Sequence, residues 1–283
     1  RDAALGLAQW VLDMDDGTKT IFRWLCRSYT GLASKSRTPE YHGPGRGAAN
    51  SILALLDGHR LSQERKFLDK AEQLIRRCVH PEERIEKHQL LDAENRWFYT
   101  MFLQALARYL HYKVEIEEID HMYAYAQASL LHYVRWMAEH EYPYLSKPEL
   151  LEYPTETWAA QDMRKCEIFD QATLHCSENE RVLFREKAQF FFDYSVETLS
   201  KMPTRTLCRP VVLLLSYGFS HHWFLQNSEA RLPQAPQEFQ RFGRPTVFVP
   251  QRQIALRRAK ILLTAGAVLF AAAAAWLLYQ YLG

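Results

Sequence analysis

Glycine and proline are scarce in this chain, with 11 Gly and 12 Pro in 283 residues. A sheet-rich fold needs a turn signal every ~8–12 residues, and dinucleotide folds need glycine-lined phosphate turns, so both classes are excluded. Net charge is also lacking: 35 Lys+Arg stand against 33 Asp+Glu, a balance of +2. That leaves no electrostatic footprint for nucleic acid as a partner. Cysteine is sparse and unpatterned. Cys26, Cys78, Cys166, Cys176 and Cys208 are odd in number and include no CxxC, so the sequence signals neither a disulfide framework nor a zinc cage, and reduced, mostly buried thiols are expected. No cofactor motif and no metal-ligand spacing is present. The first residue is Arg1 and no charged-then-apolar leader follows, so the sequence reads as a fragment or a processed product.

What the chain does have is one long apolar run. Ile261 to Leu278 carries no charge and continues through Tyr279, Tyr281 and Leu282. At about 1.5 Å per residue, roughly 20 such residues cross a hydrocarbon core of about 30 Å. Arg252, Arg257, Arg258 and Lys260 precede the run, no Lys or Arg follows it, and Trp276, Tyr279 and Tyr281 gather at its far end. The positive-inside bias predicts a cytoplasmic N-terminal domain, with the extracytoplasmic side as the alternative. With Gly283 last, the run reads as a tail anchor in a lipid bilayer. Small residues from Ala265 to Ala275 permit close approach to a membrane protein partner, although no GxxxG occurs.

The division expected is a helical domain over 1–225, a Pro-containing linker or strap over 226–253, and the anchor helix over 254–283. In the linker, Thr246 to Val249 is expected on the domain surface. Strand-like alternation is nearly absent from the first 225 residues, while apolar stripes recur at helical spacing. Helices are expected at Ala3 to Leu12 and Lys19 to Tyr29, then in pairs. One opens after Arg46, turns at Asp57-Gly58-His59 and is answered by Ser62 to Cys78. Others open at Asp92 and Thr155, answered by Ile119 to His140 and Ser177 to Lys201, and a last one opens at Arg209-Pro210. Asp92 and Thr155 are expected to serve as N-caps, and Pro210 suits a first turn. The openings lie 46, 63 and 54 residues apart, the scale of a helical-hairpin repeat. Leading helices are the more apolar and should line the inside; answering helices should be wet on one face. The charge runs Glu82-Glu83-Arg84 and Glu115 to Asp120 read as solvated turns.

Leu55 to Ile75, LLDGHRLSQERKFLDKAEQLI, resembles the hairpin of an α/α-toroid, and Leu106 to Met137 and Glu152 to Phe169 are similar in style to six-hairpin glycosidase and heparinase-type polysaccharide lyase repeats. The resemblance spans about residues 40–225. It implies an all-α fold of helical-hairpin repeats forming part of an α/α-toroid, although three and a half to four hairpins stand where a closed toroid has six. It also implies carbohydrate chemistry, whether glycoside hydrolase, polysaccharide lyase or epimerase-like.

In such an arc the segments before the leading helices share one rim. There, Glu94 and Glu156 are the candidate acid and base, and His42 and Tyr41 the candidate proton abstractors. Arg46, Arg96, Trp97, Trp158 and Asp162 are the candidate substrate grips. Aromatic plates stack on pyranose faces, arginine pairs with uronate or sulfate, and carboxylate pairs move protons. The competing structural reading is that helix-start carboxylates complement the dipole and both tryptophans belong to the core. The Gly43 to Gly47 stretch reads as a helix-entry turn rather than a phosphate cradle, and His221-His222 as a packed pair rather than a metal site. The function expected is membrane-anchored action on, or assistance to, the synthesis or processing of a polysaccharide or glycolipid. The alternative is a non-catalytic tail-anchored scaffold recruiting protein partners.

Overall fold

A computed structural model of the chain describes residues 1–16, 43–204, 206–246 and 251–282, and among these every regular element is helical. The α-helices are α1 (Asp2–Asp16), α2 (Arg46–Ser62), α3 (Arg65–Cys78), the single turn α4 (Ala93–Arg96), α5 (Tyr99–Glu115), α6 (His121–His140), α7 (Glu156–Thr173), α8 (Glu178–Lys201), α9 (Cys208–Gln226) and α10 (Gln251–Leu282). The helix expected at Lys19 to Tyr29 lies outside the described residues.

The first turn is not where Asp57-Gly58-His59 suggested. α2 runs through these residues and ends at Gln63, which takes the left-handed conformation at φ 61°. Gly58 serves close packing instead. A Cβ there would lie 2.5 Å from Cβ of Ala8 on α1 and 3.2 Å from the Phe67 ring. Capping also differs from expectation. The Asp92 carboxylate holds the Asn95 side chain at 3.0 and 3.1 Å, and Thr155 makes no side-chain cap. Asp120, within a run read as solvated, caps α6 by accepting from the Tyr123 N–H, while Ser177 and Glu180 form a reciprocal capping box on α8.

Long-range contacts fix the helix directions. Gln104 on α5 meets Arg164 on α7, and His111 meets Gln171, so these helices run parallel. Arg164 to Tyr217 and Asp170 to His221 set α9 parallel to α7, while His59 to Tyr112 and Arg60 to Glu115 do the same for α2 and α5. α3, α6 and α8 return antiparallel on the outside, so one apolar core runs from Ala8 through Phe191.

The returning helices are less uniform than their composition implied. α8 buries a single face, including Phe184, Ala188 and Phe191. α6 is buried nearly all round, because the segment after α9 folds back over it as a strap. Tyr123 Oη donates to the Pro233 carbonyl at 2.6 Å, Gln127 bonds the backbone at Pro233 and Ala235, and Phe242 packs edge-on to Tyr125 with centroids 5.9 Å apart. Each charge run read as solvated is so only in part: Glu82, Arg84, Glu115 and Glu117 are exposed, while Glu83 turns inward. Glu83 is buried and bonds Tyr133, Lys87 and His88, which outweigh the cost of burial and hold its carboxyl down at about 2. Glu118 and Asp120 pair with Lys113, which is fully buried.

α10 is long and apolar enough to cross a membrane: within Leu256–Leu282 an 18-residue stretch has a mean hydropathy of 2.3, and none of that stretch is buried. Of the strap residues expected on the surface, Val247 to Val249 lie outside the described set.

Candidate functional site

Two of the expected rim segments meet. Glu94 accepts the backbone N–H of Glu152 at 2.6 Å, and Trp97 and Trp158 pack on a small cluster of Ala93, Tyr144 and Leu151. Trp158 Nε1 donates to the Tyr153 carbonyl, and its ring lies 5.2 Å from that of Tyr144. Both tryptophans are half-buried. Arg96 has its Nε buried without a hydrogen-bond partner, and its Nη1 donates to the Asn95 carbonyl at 3.3 Å. Glu156 is half-buried at the first position of α7, and Arg46 is exposed at the first position of α2. Tyr41 and His42 lie outside the described residues.

Asp162, a candidate substrate grip, is fully buried and holds structure instead. It accepts the Tyr144 N–H at 3.0 Å and sits 2.9 Å from Lys165 Nζ, which also reaches Glu141 at 2.8 Å and the Tyr142 carbonyl at 2.6 Å. Two carboxylates share one ammonium. Burial, with the Glu141 charge adding to it, pushes Asp162 up to about 6, although Lys165 pulls the other way. Lys165 itself stays above its ordinary range, because Asp162 and Glu141 outweigh the burial that disfavours its charge.

A larger opening lies elsewhere, between the parallel helices. A cleft of about 650 Å³ is bounded by Leu53, Leu56 and Arg60 of α2, Arg108, His111 and Glu115 of α5, Gln171 of α7, and Phe219 and Trp223 of α9. A second lobe of about 300 Å³ continues it toward Asn50, Gln104, Arg164 and Tyr217, sharing Leu53, Arg108 and Gln171. Its walls differ in chemistry. α9 presents exposed aromatic faces, whereas α5 presents Gln104, Arg108, His111 and Glu115, spaced one turn apart.

No protein-family model matches the chain, no curated protein matches it, and no solved structure matches it.

Arg60 is neutralised by Glu115 at 2.6 Å and Asp57 at 3.6 Å, and its guanidinium covers the Tyr112 ring at 4.8 Å. Arg108 is exposed in the cleft, and among the described residues it has no hydrogen bond or ion pair. Gln171 donates through Nε2 to Glu167, which turns its Oε1 to accept the His111 Nε2 proton at 2.7 Å. The neutral His111 ring thus keeps Nδ1 as an acceptor. An unpaired guanidinium, an imidazole acceptor, two paired carboxylates and two aromatic faces suit an anionic ligand with stackable rings or an apolar arm.

The cleft escaped the sequence reading because its polar residues sit inside helices taken as lining. The available signal was the polar stripe Gln104, Arg108, His111, Glu115 on an otherwise apolar helix.

Proposed function

We propose that this chain is a membrane-anchored helical-hairpin protein, an arc of the α/α-toroid kind, that binds an anionic glycan or glycolipid during its synthesis or processing. The arc reading is supported by four leading helices that run parallel around one cleft with returning helices behind them. α10 supplies the anchor, and the basic residues before it favour a cytoplasmic body.

The single observation that carries the ligand reading is Arg108, a cation without a carboxylate partner among the described residues, set among aromatic and hydrogen-bonding groups in a cleft of about 650 Å³. A glycolipid suits this reading because the wider lobe is lined by Trp223 and Phe224 in the last turn of α9, the helix from which the strap departs toward α10.

The test is binding of the full chain, reconstituted in vesicles, to a panel of anionic glycans and glycolipids. Loss of one charge-assisted contact of about 1.5–3 kcal/mol predicts a weakening of roughly ten- to a hundredfold in Arg108→Ala. Glu94→Gln and Glu156→Gln leave binding unchanged under this reading. If those two variants lose binding while Arg108→Ala keeps it, the rim is the site.

A second reading, a scaffold for protein partners, is favoured by α9. Val212, Leu215 and Phe219 are 51%, 71% and 77% exposed along one side of that helix. A chain that binds no ligand on the panel but loses a membrane protein partner when Leu215 becomes Glu would establish it.

A further inference from the structure

A second cluster lies between α7, α8 and α9, away from the groups used above. Cys166 and Asp170 stand one turn apart on α7, and His221 reaches them from α9; all three are buried. Asp170 Oδ2 lies 3.6 Å from Cys166 Sγ and 2.8 Å from His221 Nδ1, and the donor atoms all fall within 4.8 Å of one another.

Hydrogen bonding behind the imidazole fixes its tautomer. Gln189 Nε2 donates to Asp193 Oδ1 at 2.8 Å, which points Gln189 Oε1 at His221 Nε2, 3.3 Å away. Nε2 therefore carries a hydrogen, and Phe192 stacks on the ring with centroids 4.5 Å apart. In the neutral ring Nδ1 is then a bare lone pair, and it faces a carboxylate oxygen at hydrogen-bond distance. Two acceptors so placed require a cation between them, either a proton or a metal ion. The thiol converging on the same point is a soft donor that a shared proton does not need.

We propose that Cys166 Sγ, Asp170 Oδ2 and His221 Nδ1 bind one divalent transition-metal ion of the zinc type, with Gln189 and Asp193 holding the imidazole from behind. Thiolate, imidazole and carboxylate form a borderline-soft set that suits zinc, leaving a fourth position for water. Binding releases the thiol proton and, from an imidazolium, the Nδ1 proton; no oxidation state changes. Metal–ligand bonds of about 2.0–2.3 Å place tetrahedral donors roughly 3.3–3.7 Å apart, so on binding Asp170 Oδ2 and His221 Nδ1 separate from 2.8 Å by at least about half an ångström, while Cys166 Sγ and His221 Nδ1, within 4.8 Å of one another, draw together.

The experiment is titration of the full chain, in detergent and under reducing conditions, with cobalt(II) as a spectroscopic probe. The proposal expects one ion per chain, a thiolate-to-cobalt charge-transfer band in the near ultraviolet, and displacement of cobalt by zinc. The band disappears in Cys166→Ser and persists in Cys208→Ser, while Gln189→Leu weakens binding roughly ten- to a hundredfold through lost orientation of His221. No band in the unmodified chain, or a band that survives in Cys166→Ser, overturns the site. If Cys166→Ser does not fold, alkylation of the unmodified chain decides: zinc must protect Cys166 while leaving Cys78 and Cys176 unchanged, and equal rates with and without zinc overturn it.

Discussion

Lys165 shows at the scale of one residue why a polar side chain in a helix is hard to interpret from its neighbours in sequence. The ion trio Asp162, Lys165 and Glu141 is fully or nearly fully buried, so its carboxylates are held by charge rather than by water. Asp162 rises from an ordinary value of 3.8 to about 6 in the folded chain. Its protonated form is favoured by folding, so its contribution is complete below about 3.8 and is lost as pH rises through about 6. Urea denaturation at a series of pH values should show stability falling across that window, and Asp162→Asn should flatten the fall; an unchanged slope would refute the assignment. Sequence reasoning had placed Asp162 on a substrate rim because it stands one turn after Trp158. The trio joins α7 to the end of α6, residues 141 and 162, and that pairing is a tertiary fact which no local pattern encodes. Trp97 and Trp158, expected either as substrate grips or as core, pack half-buried on one small apolar cluster.

Elements were far more legible than contacts. Helical periodicity located α3 and α6 through α9 to within a few residues, whereas α2 runs past its expected turn and α5 begins at Tyr99, after the separate turn α4 that follows Asp92. The error at Asp57-Gly58-His59 has a plain origin. Glycine serves both as a helix terminator and as the residue that lets two helices touch, and only the partner distinguishes the two uses. Here the partner is Ala8, so Gly58→Ala should detach α1 from α2 at a cost of about 1–3 kcal/mol in chemical denaturation. Adding Ala8→Gly should recover part of that loss, because the two methyl groups compete for the same space. If Gly58→Ala is neutral, the close approach of α1 is wrong. The polar stripe of α5 illustrates the opposite difficulty. Gln104, Arg108, His111 and Glu115 were visible in order, yet a cleft exists only once three other helices stand around them.

At the scale of the whole molecule, composition alone announced α10, because a run of this length without charge has few other uses. The full chain should remain with membranes after an alkaline wash, and a version lacking residues 256–282 should be released to the supernatant. Release of the full chain would remove the anchor.

The strap bears on how such a body would hang from its membrane. Phe242 packs on the Tyr125 ring, and nine residue steps of sequence separate it from the start of α10 at Gln251. Fully extended, that stretch reaches about 30 Å. A leash of that reach keeps the body within tens of ångströms of the lipid surface once α10 spans it. A lipid-linked ligand of the kind proposed above would then be met by lateral diffusion in two dimensions rather than from solution.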